Sequence, residues 1–71
     1  MITLTIIRER LIEAIKLSGM PYSEIARQVN VKQPTISQYL SGKAMPALDT
    51  FAKLCKVLDV DPAYILGLTD N

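Results

Sequence analysis

Seventy-one residues, 49% of them hydrophobic and with a net charge of +1, describe one small domain spanning 1–71 that must bury most of its apolar side chains in a single core. One cysteine and no histidine exclude an intramolecular disulfide and most zinc sites, and they leave no imidazole base for catalysis. No apolar run reaches about 18 residues and the N-terminus carries no signal-peptide pattern, so the chain is expected to be cytosolic and to make no membrane contact.

The first predicted helix runs from near Thr5 to Ser18, with Leu4, Ile7, Leu11 and Ile15 on one stripe and Gly19 ending it. Next comes YSEIARQVNVKQPTISQYLSGK, residues 22–43, the most informative stretch of the chain. Tyr22, Ile25, Ala26 and Val29 recur at i, i+3, i+4 and i+7, which lines one helical face. Ile36, Tyr39 and Leu40 begin the pattern again only a few residues later. Between the two, Asn30 stands where the chain must reverse, and Asn tolerates the left-handed backbone conformation. Ala26 is small where the helices must approach. Two short amphipathic helices joined this tightly predict a helix-turn-helix.

The second helix of the pair is informative on its other face. With Ile36 and Leu40 turned inward, about 100° of rotation per residue points Pro34, Ser37, Gln38 and Ser41 outward, flanked by Gln33 and Thr35. Glutamine pairs in bidentate fashion with the adenine edge in the major groove, and hydroxyls bond most base edges. A merely solvated face would more often carry Glu and Lys.

Ser41-Gly42 turns the chain out of this helix, and a fourth helix is predicted over roughly Leu48 to Leu58. There Leu48, Phe51, Ala52, Cys55 and Leu58 share a stripe, so Cys55 reads as core packing. Asp61 caps a short fifth helix with Pro62 at its first position. The expected fold is all-α, a compact arrangement of about five helices. Tyr64, Ile65, Leu66 and Leu68 load the end of the chain with apolar side chains. Ile65 and Leu68 are spaced to meet the core, which leaves Tyr64 and Leu66 as the expected dimer interface.

Charge is unevenly spread. Residues 22–43 hold Arg27, Lys32 and Lys43 against Glu24, a net +2, whereas residues 44–71 hold Lys53 and Lys56 against Asp49, Asp59, Asp61 and Asp70, a net −2. So few cations predict weak nucleic-acid binding by a monomer, and hence a homodimer.

Five fragments in order resemble the phage repressor and Cro type of helix-turn-helix protein, the XRE-like family. They are Ser23-Glu24-Ile25-Ala26, Val29-Asn30-Val31, Gln33 to Lys43, Pro46 to Phe51, and Tyr64 to Leu68. The resemblance implies a DNA-binding transcription regulator, expected to be a repressor, that recognises a palindromic duplex operator as a homodimer, with no cofactor and no small-molecule ligand. By position it places Gln33, Pro34, Thr35, Ser37 and Gln38 against bases, and Tyr22, Ser23, Lys32, Ser41 and Lys43 against phosphates. The chain departs from the family at several positions. Pro21 and Tyr22 stand where a Ser or Thr cap followed by Gln is usual, and Asn30 replaces the commoner Gly. The Arg and Glu that many members pair between the first helix and the end of the recognition helix are Ile15 and Leu40 here. Losing both partners avoids stranding a buried charge, so these two side chains are expected to meet in the core.

Enzyme readings fare badly, since there is no Gly-rich phosphate loop and the clustered carboxylates Asp59 and Asp61 sit beside a helix cap. The serious alternative is a protein-interaction module of the same fold, such as an antitoxin or an adaptor.

Overall fold

A computed structural model describes residues 2–70. Five helices follow in order: α1 Leu4–Leu17, α2 Tyr22–Gln28, α3 Gln33–Ser41, α4 Leu48–Leu58 and α5 Pro62–Ile65. α1 begins one residue earlier than its periodicity implies because Thr3 caps it, the Thr3 hydroxyl accepting from the Ile6 N–H at 3.1 Å. The cap at the start of α5 is the expected one, with Asp61 Oδ1 accepting from the Ala63 N–H at 2.9 Å.

Four of the helices end by one device. Asn30, Gly42, Asp59 and Gly67 all have positive φ. The next residue in each case returns its N–H to a carbonyl five positions back: Val31 to Ala26, Lys43 to Gln38, Val60 to Cys55 and Leu68 to Ala63. This satisfies carbonyls that a helix end otherwise leaves open. At Val31 and Val60 the residue after the turn is apolar and partly buried against the core, as the motif favours. At Lys43 it is an exposed cation.

The core is Leu11 and Ile15 from α1, Ile25, Ala26 and Val29 around α2, Ile36 and Tyr39 from α3, Phe51, Leu54 and Cys55 from α4, and Ile65 from α5. α2 lies against α3 and α4, and α1 lies against α3 and α5, so every helix contributes to one interior. Ile15 is fully buried and Leu40 is partly buried against the same core. Burial pushes the Cys55 thiol above its ordinary range, with the Asp61 charge adding to the shift. The Cys55 side chain therefore behaves as a small apolar group.

Several expected core positions are corrected. Leu4 is 57% exposed because the core side of α1 starts a turn later, at Ile7. Leu48 is 86% exposed. It is the first residue of α4, and side chains lean toward a helix N-terminus, so it overhangs the core. Ala52 is also exposed, and Leu54 takes the buried place on α4 instead. Tyr22 is 38% exposed at the start of α2.

The end of the chain differs most. Leu68 is 63% exposed, while Tyr64 and Leu66 are half-buried against the core, the reverse of their expected exposure. The reason is Gly67: with φ +78° it swings the chain out of the helical path, so the i, i+3 spacing from Ile65 to Leu68 carries no facial meaning. Arg10 then locks this end down. Its Nη1 donates to the carbonyls of Tyr64 at 2.6 Å and Thr69 at 3.0 Å, and its guanidinium lies 4.3 Å from the Tyr64 ring centroid.

Candidate nucleic-acid interface

α3 is held by its buried side. Ile36 and Tyr39 are inside the core, and burial raises the Tyr39 phenol above its ordinary range, with Asp49 on α4 adding to the shift. The helix starts at Lys32 without a side-chain cap, and Pro34 sits in its first turn, where no N–H is needed. Gly42 closes it at φ +79°.

The outward side is as the periodicity predicts. Gln33, Pro34, Ser37 and Gln38 are exposed and Thr35 is half-buried. Among the described residues, the side chains of Gln33, Ser37 and Gln38 make no hydrogen bond within the chain. The amide and hydroxyl groups of this face are therefore uncommitted, and the helix that carries them is anchored from behind.

The flanks differ in their readiness for a phosphate. Lys32 and Lys43 are exposed at the two ends of α3 and make no ion pair. Ser41 is exposed, but its hydroxyl donates to the Gln38 carbonyl at 3.1 Å. A phosphate oxygen accepts and cannot donate, so Ser41 would have to release that bond first. Tyr22 and Ser23 open α2 behind Pro21, which supplies no side-chain cap. The Glu24 and Ile25 N–H groups both go to the Pro21 carbonyl, so the free N–H groups of this helix start belong to Tyr22 and Ser23 themselves.

Arg27 is not a free cation. It pairs with Glu24 through two hydrogen bonds, and Glu24 also accepts from Gln28 Nε2 at 2.8 Å. The bonds from Arg27 and Gln28 hold the Glu24 carboxyl down to about 2, from an ordinary 4.5. The same pairing raises the Arg27 guanidinium further above its ordinary range. The +2 read for this segment thus reduces at its surface to Lys32 and Lys43, one at each end of α3.

A buried seam of two short helices with an outward polar face on the second defines a helix-turn-helix domain. The helix-turn-helix family model matches residues 11–65, and the chain belongs to that family, in its XRE and Cro-type form. Among curated relatives, it is 50% identical over 36 residues to the HTH-type transcriptional regulators for conjugative element SXT of Vibrio cholerae and for conjugative element pMERPH of Shewanella putrefaciens. That alignment covers 51% of this chain and 17% of each relative. No solved structure matches the chain.

Proposed function

We propose that this chain is the DNA-reading domain of a cytoplasmic transcription regulator, a repressor that binds duplex DNA sequence-specifically with α3 in the major groove. The single observation that carries the reading is the outward face of α3, where Gln33, Ser37 and Gln38 are exposed and have no internal partner. Glutamine with hydroxyl neighbours is the chemistry of base edges. Gln33, Pro34, Thr35, Ser37 and Gln38 face bases on this reading, with Gln33 and Gln38 making the direct contacts. Tyr22, Ser23, Lys32, Ser41 and Lys43 border the phosphates. The two curated relatives named above are called transcriptional regulators, and no helix of the described residues is long and apolar enough to cross a membrane.

The protein acts as a homodimer on this reading, because two free cations per face give little phosphate attraction. Tyr64 and Leu66, half-exposed, belong to the interface. Leu17, 76% exposed, lines one shallow groove with Tyr64, Leu58 and Val60 and supplies the most exposed apolar surface in it. A two-fold pair would set its recognition helices about 34 Å apart, on half-sites about 10 base pairs apart in a palindromic operator.

Selection of bound sequences from a random duplex library tests the reading. A palindromic consensus is expected, and a pool that stays random would reject sequence-specific binding. Lys43→Ala should weaken binding to all sequences alike and flatten its salt dependence by a slope of about 0.9 per chain; an unchanged slope removes Lys43 from the phosphate set.

A further inference from the structure

Arg8 has no role in the account so far, and its surroundings are unusual. Its Nε is, among the described residues, the one buried side-chain nitrogen or oxygen without a hydrogen-bond partner. The residue as a whole is half-buried and forms no ion pair, so what remains reachable belongs to other atoms of the side chain. Its stem passes close to Gly42: a Cβ added there would lie 3.1 Å from Arg8 Cδ and 3.5 Å from Arg8 Nε. The stem of Arg8 therefore lies across the left-handed turn that ends α3, where glycine suits both the positive φ and the close approach. The following residue is Lys43, pinned by its N–H bond to the Gln38 carbonyl at 3.0 Å.

Burying one nitrogen of a guanidinium without an acceptor is costly, and the negative end of the α3 dipole offsets only part of that. An anion at the remaining donors would compensate the charge of this half-buried guanidinium, and those donors sit at the same end of α3 as the Lys43 cation. We propose that Arg8 is a DNA-backbone ligand contributed by α1, its Nη groups sharing with Lys43 the phosphate that flanks the C-terminal end of α3. The inference rests on the DNA-binding reading above. It adds a third cation to a face that otherwise has Lys32 and Lys43, since Arg27 is already neutralised by Glu24. It also assigns α1 a direct role in binding. A planar fork with several donors suits a phosphate better than a lysine would.

The test is binding of the whole chain to a random-sequence duplex across a salt series, for wild type, Arg8→Met and Lys43→Ala. Methionine keeps an unbranched stem against Gly42 and removes only the donors and the charge. Arg8→Met is expected to lower the slope of log K against log salt by about 0.9 per bound chain, and to weaken binding about tenfold at 0.1 M salt, with the melting temperature of the free protein not lowered, since the variant loses a buried donor that has no acceptor. A merely structural Arg8 would lower the melting temperature and leave the slope alone, and that result overturns the proposal. Should Arg8→Met fail to fold, the Arg8 guanidinium resonances of the wild-type protein, followed by NMR as duplex is added, decide instead. A shift at substoichiometric duplex supports the contact, and resonances that stay in place refute it. If Lys43→Ala flattens the slope and Arg8→Met does not, the Arg8 assignment alone falls. A wild-type chain that binds no duplex at any salt removes the DNA-binding reading and this inference together.

Discussion

The outward face of α3 and the seam between α1 and α5 both carry polar side chains on helices, yet they use them in opposite ways. On α3, Gln33, Ser37 and Gln38 keep their donors and acceptors free. At the seam, Arg10 spends its donors on the Tyr64 and Thr69 carbonyls and lays its plane against the Tyr64 ring. The first region is available to a ligand, and the second is consumed by the fold. Composition alone does not separate them; what separates them is whether the hydrogen-bonding capacity of each side chain is already used.

The largest effect is expected from the interior that supports both regions. Ile15 of α1 is fully buried in the shared core, so Ile15→Arg should destabilise the domain by about 3 kcal/mol or more, as an unpaired buried charge does. Urea denaturation checks this, and a loss below about 1 kcal/mol would be at odds with the burial of Ile15. Removing the clamp at the seam is the next largest effect. Arg10→Met should cost about 1–3 kcal/mol through two charge-assisted hydrogen bonds and the ring contact. It should raise amide hydrogen exchange at Ile65, Leu66 and Leu68 before it does so in α2 and α3. Equal acceleration throughout the chain would show that the clamp is not local to α5.

The smallest effect sharpens the electrostatics of the motif. Glu24 has its folded-state pKa depressed to about 2 from an ordinary 4.5, so its pairing with Arg27 and Gln28 stabilises fully above about 4.5 and is lost as pH falls from there through about 2. Glu24→Gln should therefore flatten the acid limb of thermal stability between pH 5 and pH 2. The pair lies at the solvent-accessible surface, which keeps the effect small. Acid limbs that coincide in the two proteins would mean that the pairing adds nothing.

The two regions also differ in how far they could be read from sequence. The motif was legible because its information is local. Ile25, Ala26, Val29, Ile36 and Tyr39 follow helical spacing into the core, Asn30 adopts the left-handed conformation at φ 60°, and Pro62 with Asp61 starts α5 as expected. The seam was not legible because its bonds join residues 54 and 59 positions apart, a pairing that no spacing rule encodes. Leu68 was misplaced for a related reason, since Gly67 breaks the helical path one residue before it. Leu4 and Leu48 failed at helix starts, where a stripe extends past the core that gives it meaning. At the interface, periodicity found the faces of α3 but not the internal spending of Arg27 on Glu24 or of the Ser41 hydroxyl on Gln38. Arg8 carried no sequence signal at all, because only the fold brings it to Gly42.

Base reading by the uncommitted side chains of α3 is tested most directly with Gln38→Ala, by titrating wild type and variant against the selected operator and against operators altered one base pair at a time. The expected loss is about 1–3 kcal/mol, confined to one base pair per half-site, with preference relaxed there and folding stability unchanged. Equal weakening on the operator and on random duplex would contradict it.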